Sequence, residues 1–499
     1  MYLNPDMGKI GRLLSVLVII WWVASLVMLY RVSHTIQGRA VRDANIVSTG
    51  DIERENYIGV YYGGEKIGYS SKVVRRAKTG LLVSEVSYMK LPLGGINQEV
   101  LSEMLASVGN DFSLVNFDFS FSSGGYESRG SGFITSEKLI LKLNISGQPT
   151  RREFPIWGKI YLPSLIPEMY ISSGMPEKLE IPTVNPLTLS YGNYLIKRIG
   201  IEDGKKFNVE GDVYHLFIST GELYTEMWVD NKGNLLMERS PGGFVSYMEP
   251  KEKALSFSSN PTVKTDLLAA FSVPVRMKPD NPRGISYLRA TTVGLDPAIF
   301  ELADFNQRYT KKGDSLVIEV FREPIQDIPP IIPSDTASTE FIQAQDRRIK
   351  KAAKKIIKGE TDTLKMLFAI NDWLYENIKK RHRTAIPSAL AVLRHREGDC
   401  NEHSTLFCAL ARSLGIPTRI MVGLALLDDA FFYHTWVASY ADGNWHSFDP
   451  TLGVAPADAA RIKLLSGELE SQIQLLRIEK LHIRIDEYKR NKDGYTQVR

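Results

Sequence analysis

Cysteine is almost missing from this chain: there are two in 499 residues, Cys400 and Cys408. They stand eight positions apart on one expected helix, about 12 Å along its axis, too far apart for a disulfide. No disulfide scaffold exists, and cysteine content alone leaves the redox compartment open. A zinc site is also short of ligands, since Cys400 and His403 supply only two and no matching pair is evident. No EF-hand-like acidic loop occurs, so calcium is not expected, and no other metal or cofactor is implied. Charge of one sign is not concentrated either. The 61 Lys and Arg against 57 Asp and Glu leave a formal net charge of +4, far from the basic stripe that a phosphate backbone requires. Nucleic acid is not expected as a partner.

What is present begins with one long apolar run in an otherwise ordinary globular composition of roughly three domains. Residues 13–30, LLSVLVIIWWVASLVMLY, carry no charge, and Lys9 and Arg12 precede them. Eighteen such residues are about enough for one membrane span. A cleaved signal peptide is the competing reading, but the run exceeds the usual length and no small-x-small site follows closely. Arg31, Arg39 and Arg42 balance the charges on the short side, so the positive-inside rule does not decide orientation. Large domains behind an N-terminal anchor are exported largely regardless of flanking charge. The expectation is a single-pass protein of the bacterial inner membrane with its soluble part in the periplasm. Residues 1–12 would be a short flank, 13–30 the transmembrane helix and 31–50 a linker.

Residues 51–260 read as an antiparallel β-rich domain. Gly63-Gly64, Gly124-Gly125 and Asn231-Lys232-Gly233 each separate runs of alternating aromatic and β-branched residues, the pattern of hairpins in a meander. The stretch IPTVNPLTLSYGNYLIKRIGIEDG, from Ile181 to Gly204, is expected to interrupt the strands as a proline-marked corner. Period-2 aromatics are what a half-buried sheet displays, so they read as core, with a groove for lipid or peptide left open. The pattern resembles the half-barrel sheets of bacterial lipoprotein-carrier-type domains, without a specific motif. Residues 261–335 follow as a small β segment and a proline-rich linker, REPIQDIPPIIPSDTAS.

Residues 336–490 form the catalytic candidate. Two helical patterns open it, the first with a basic face of Arg347, Arg348, Lys350, Lys351, Lys354 and Lys355. Such a face is most simply solvated, binding to an acidic or membrane surface being the alternative. Near its end, Leu481, Ile483 and Ile485 alternate with polar residues as a final strand.

Between these lies EGDCNEHSTLFCALARSLGIPTR, residues 397–419. Leu406, Phe407, Ala409, Leu410 and Leu414 mark a buried helical stripe, and Gly415 with Pro417 ends it. Cys400 therefore lies in the first turn, where unpaired N–H groups and the helix dipole favour thiolate over thiol. Gly398 would let a loop backbone approach closely. Cys408, inside the apolar stripe, reads as a buried structural cysteine.

A nucleophilic thiol needs a base. FFYHTWVASYADGNWHSFDPTLG reads as a hairpin with Asp442-Gly443 at its tip, pairing Ala441 with Asn444. Trp436 then opposes Asp449, and His434 lies diagonally from Asp449 on the same face. His446 faces the other way. Cys400, His434 and Asp449 are thus a candidate nucleophile, base and orienting acid.

GDCNEHSTLFCALARSLGIPTR followed by YHTWVASYADGNWHSFDPT resembles the transglutaminase-like superfamily of papain-type thiol enzymes, over about residues 335–470. The resemblance implies an α+β fold, a papain-like core in which the cysteine helix packs on an antiparallel sheet carrying the histidine and aspartate. It also implies Cys400 as nucleophile, His434 as general acid/base and Asp449 as the orienting residue. Ala438 departs from the acidic residue that relatives commonly carry after His-x-Trp. The side chain completing an oxyanion hole is not assigned; Trp373 and Tyr375 read as packing.

The expected function is attack of Cys400 on an amide of a peptide or protein, with cell-envelope material as the reasonable substrate. Hydrolysis is preferred over transfer to an amine, and a noncatalytic binding or assembly module of the envelope stays as the alternative.

Overall fold

The computed structural model describes residues 52–490 except 94–95, 124–125, 146–147, 186–189, 221–222, 257–270, 280, 326–327, 382–387, 469–470, 473 and 479. The expected membrane helix at 13–30, the linker behind it and the Gly124-Gly125 turn lie outside the described residues. No helix among the described residues is long and apolar enough to cross a membrane. The chain divides into two compact units near residue 265.

The first unit is a fourteen-stranded antiparallel sheet. Eight strands from Ile52–Tyr62 to Gln148–Pro155 each pair with the next, and six from Lys178–Asn185 to Phe244–Met248 do the same. Pairing of Ile52–Tyr62 with Phe244–Met248 fuses the two meanders. Gly63 and Gly64, both with positive φ, turn the first hairpin, where Tyr62 pairs with Glu65. Phe117, Phe119 and Phe121 alternate into the core, and Gly132 and Gly130 make room for the rings of Phe117 and Phe119 on the neighbouring strand. One expectation needs correction: outside residues 186–189, which are not described, the stretch from Ile181 to Asp203 is strand. It belongs to two paired strands, Asn185 facing Ser190. Pro182 is tolerated because its strand is the sheet's edge, and Pro149 and Pro155 lie in the opposite edge strand.

Among the described residues, the second unit combines four α-helices with two antiparallel sheets and a short parallel pairing of Lys379–Lys380 with Glu397–Gly398. The helices are α1 (Arg347–Ile357), α2 (Thr363–Asn377), α3 (Ala389–His395) and α4 (Cys400–Ser413). The larger sheet contains β1 (Val273–Pro274), β2 (Thr418–Leu427), β3 (Ala430–Ala441), β4 (Asn444–Phe448) and β5 (Arg461–Ser466). Its strands run in the order β1, β3, β2, β5, with β4 also beside β3. The smaller sheet joins Ile285–Val293, Gln307–Lys312 and Ser315–Phe321 to the C-terminal strand His482–Arg490. Residues 285–321, which in sequence stand apart from the segment after the proline-rich stretch, thus share a sheet with its last strand.

α4 is buried from Cys400 through Arg412, so its apolar and polar faces alike meet protein. Phe407 and Phe368 both pack on the ring of Phe448, each with centroids 5.6 Å apart. Arg412, near the end of α4, is satisfied by the carbonyls of Thr418 and Ala337. Burying it without them would cost several kcal/mol, on the order of an unpaired charge.

Candidate active site

Local sequence places the cysteine. Asp399 is the N-cap of α4: its carboxylate accepts from Asn401 N–H at 2.9 Å, while Glu402 accepts from Asp399 N–H at 2.9 Å. This reciprocal capping box starts the helix at Cys400. The pattern Asp399-x-x-Glu402 was the signal for it in the sequence. Gly398 is required for close packing, because a Cβ there would meet the Glu402 side chain at 2.3 Å.

The β3–β4 hairpin has the expected register, Ala441 opposite Asn444 and Val437 opposite Phe448. The ladder stops there. Asp449 leaves β4 and bridges to Val454 instead of pairing with Trp436. On the same side of β3, β1 pairs only with Ala430 and Phe431. Among the described residues, no strand covers 432–436 on that edge, and the tip of α4 docks against this stretch. Ser404 reaches Thr435 at 3.4 Å, and Thr435 hydrogen bonds to the Cys400 thiol. Cys400 also packs with Ala425, Phe432, Leu452 and Val454.

His434 Nε2 and Asp449 Oδ2 are 2.7 Å apart, with both side chains fully buried. The other imidazole nitrogen, Nδ1, has no hydrogen-bond partner among the described residues. The structure thus joins histidine to aspartate and leaves Nδ1 available, without a hydrogen bond from Nδ1 to the thiol. His446 is away from the pair, its Nε2 on Ala441 O at 3.2 Å.

Two residues absent from the sequence reading complete the site. Arg461 on β5 donates from Nε and Nη2 to Asp449 Oδ2 at 3.1 and 2.7 Å. Gly423, directly across β2 from His434, allows this approach, since a Cβ there would lie 2.1 Å from Ile462 O. The β2–β5 ladder shifts register at this glycine. Nothing periodic in the sequence flags Arg461; an isolated Gly within the apolar run of β2 was the available hint.

Electrostatics correct the expectation of a ready thiolate. Burial to 1% exposure pushes the Cys400 thiol well above its ordinary range, and the Asp399 and Glu402 charges add to this; hydrogen bonds from Thr435 offset only part. Burial disfavours the thiolate that the helix start favours. Cys408 is likewise pushed up to about 12 by burial. Burial alone would raise Asp449, but His434 and Arg461 overcome it and hold the carboxylate far below its usual range. His403, fully buried with Nδ1 2.6 Å from Asp399 O, is lowered to about 4, mainly by burial. Lys380, whose strand pairs with Gly398, is lowered to about 8 by burial and by Arg283.

Trp373 and Tyr375, the latter 41% exposed, each lie beneath a cation. The Arg396 guanidinium sits 4.4 Å from the Trp373 ring, and the Lys380 ammonium 4.3 Å from that of Tyr375. Ala438 lies with Phe305, Met421, Trp436 and Trp445 in a sealed cluster. An acidic residue there would be a buried unpaired charge.

Residues 350–450 match the family model of the transglutaminase-like superfamily. No curated protein matches the chain. Among solved structures, a "Putative Cysteine Protease" from Cytophaga hutchinsonii aligns at 17% identity over 42% of this chain and 90% of its own, with a TM-score of 0.30. A beta-barrel-like protein from Brucella abortus, of a domain of unknown function, aligns at 10% over 39% of this chain and 94% of its own, with a TM-score of 0.29. A "putative protease" from Parabacteroides distasonis aligns at 10% over 70% of this chain, with a TM-score of 0.19; the chain spans 63% of its length. Structural likeness at this level carries no functional argument.

Proposed function

Since residues 350–450 form a transglutaminase-like domain, we propose that the chain is a thiol enzyme acting on amide bonds through Cys400, His434 and Asp449. The observation that carries this reading is the buried His434–Asp449 pair, oriented through Nε2 with Nδ1 left free. An imidazole held this way presents one nitrogen able to take a proton. The main chain of β3 at Thr435, the residue after His434, hydrogen bonds to the thiol, which brings the strand backbone beside Cys400.

In the proposed reaction, the Cys400 sulfur bonds to the amide carbonyl as His434 takes the thiol proton. The carbonyl–nitrogen bond then breaks, His434 returns that proton to the departing amine, and a thioester remains. Water, deprotonated by His434, releases the acid and restores the thiol. An amine in place of water would give a cross-link; hydrolysis, the preference drawn from the sequence, is kept as the proposed outcome, and turnover with and without a primary amine decides it. Because burial favours the protonated thiol, the proton leaves Cys400 when substrate binds and not in the resting chain.

The sequence of residues 13–30 supports the further proposal of an anchor in the bacterial inner membrane, with a periplasmic soluble part and envelope peptides or proteins as substrates. Protease accessibility of the soluble part in spheroplasts tests this: protection would overturn the orientation.

One observation favours a second reading, a noncatalytic binding module: Cys400 is 1% exposed. The deciding experiment is amide turnover on envelope peptides by the full chain, with and without a primary amine, for the parent and Cys400→Ala. Loss of turnover in the variant supports the enzyme. Turnover equal in both overturns the nucleophile assignment, and absence of turnover in both, with a Cys400 alkylation rate unchanged by His434→Ala, favours the module.

A further inference from the structure

Three donors converge on one oxygen. His434 Nε2, Arg461 Nη2 and Arg461 Nε reach Asp449 Oδ2 at 2.7, 2.7 and 3.1 Å. The other oxygen, Oδ1, accepts from the main-chain N–H groups of Thr451 and Leu452 at 3.1 and 3.0 Å. With five hydrogen bonds the carboxylate cannot rotate without breaking several. Arg461 turns Nη1 to Asp458 Oδ1, which also accepts from Ala460 N–H at 3.0 Å. None of the four side chains is more than 4% exposed.

In such a dry cluster, charge balance governs proton affinity. Two carboxylates and one guanidinium leave one net negative charge when His434 is neutral and none when it is protonated. Without Arg461, Asp449 Oδ2 would keep only His434 as donor while Oδ1 kept the Thr451 and Leu452 N–H groups, and the charge of Asp458 would stand without its cation. Among the described residues, the other charged and titratable groups linked to this cluster include Cys400, Asp399, Glu402 and His403 around the start of α4, and Lys380, with Arg283 beside it, on the strand next to Gly398. Substitutions at 458 and 461 leave all of them in place.

We propose that Arg461 and Asp458 are positioning residues for the His434–Asp449 pair: Arg461 keeps Asp449 ionised and aimed at Nε2, and the two together set how tightly His434 holds its second proton. The proposal rests on the reading of His434 as the base for Cys400. It has a consequence that simple scaffolding lacks. Removing the positive charge and removing the outer negative charge must move His434 in opposite directions. Arg461→Met leaves two net negative charges and favours imidazolium; Asp458→Asn leaves none and disfavours it.

The test is hydrogen exchange at the imidazole carbon between the two nitrogens, read by mass spectrometry across pH on the full chain. The expected result is a His434 midpoint raised by about one pH unit in Arg461→Met and lowered by about one in Asp458→Asn. Arg461→Lys, which keeps the charge, should stay near the parent value. An unchanged midpoint in Asp458→Asn, or a shift of the same sign in both charge variants, overturns the proposal. Arg461→Met leaves two buried carboxylates facing each other; if it does not fold, Asp458→Asn and Arg461→Lys decide the question between them. Alkylation of Cys400 in a His434→Ala variant is measured in parallel. A rate unchanged there, together with absence of turnover in parent and Cys400→Ala alike, sinks the enzymatic reading, whereas the midpoints judge the roles of Arg461 and Asp458 independently.

Discussion

Asp449 Oδ2 lies 2.7 Å from His434 Nε2 and 2.7 Å from Arg461 Nη2, so one oxygen serves the candidate base and a buried cation together. The two demands have different consequences. The bond to His434 concerns orientation and catalysis, whereas the ion pair with Arg461 concerns whether a charge can be buried there at all.

Asp449→Asn should therefore damage both properties. Turnover is expected to fall by roughly 10³- to 10⁴-fold through misorientation of His434. Unfolding in denaturant should show a loss of about 3–5 kcal/mol, the usual effect of breaking a buried pair by removing one partner. The folded carboxylate is held below its unfolded range, so its stabilisation is present above about pH 4 and is lost as the pH falls toward the folded value. The stability gap between parent and variant should thus narrow below about pH 4. A gap constant down to pH 2 would contradict the assignment.

The two cysteines should separate under alkylation of the native chain. Cys408 is fully buried and pushed up to about 12, so it should not react until the protein unfolds. Cys400, at the helix tip, should react slowly near neutral pH and faster as the pH rises. Rapid alkylation of Cys400 in acid would show that the resting thiol is already ionised, contrary to its burial.

Gly423→Ala should act at a distance from the chemistry. The added methyl would overlap Ile462 O, forcing β5 away from β2 and carrying Arg461 with it. A stability loss of about 1–3 kcal/mol is expected from this overpacking. A drop in turnover should accompany it. Normal turnover in the variant would show that the close approach of β5 is not needed.

Lys380 provides a test in the alkaline range. Its folded pKa of about 8 lies below the ordinary lysine value of 10.5, so between these the unfolded chain binds more protons and stability should rise with pH. Below about pH 8 the charged lysine opposes folding in full; by about pH 10.5 that opposition is gone. The melting-temperature difference between parent and Lys380→Met should shift in the parent's favour across this window. A difference independent of pH would place Lys380 in water.

Much of the site was legible in sequence because it depends on near neighbours. Cys400 follows a D-x-x-E cap and precedes an apolar stripe that ends at a glycine, so the helix start is a local property. The hairpin register up to Val437 opposite Phe448 follows from a two-residue turn, but the ladder ends one residue before Asp449, whose bridge to Val454 belongs to the tertiary fold. The strands of the first unit were likewise visible as period-2 alternation. The misread stretch, from Ile181 to Gly204, contains Pro182, whose tolerance depends on being at a sheet edge, a property of the whole sheet.

By itself, then, the sequence determined the elements, the hairpin register and the residue types available for thiol chemistry. Only the tertiary structure decided the electrostatic state of those residues. Burial of Cys400, the uncovered edge of β3 at 432–436 and the delivery of Arg461 past Gly423 all arise from contacts between distant segments. The same is true of the pairing between Ile285–Val293 and His482–Arg490. Helix caps and turns act within a few residues and leave a periodic trace, whereas desolvation and buried charge pairing depend on everything packed around a group.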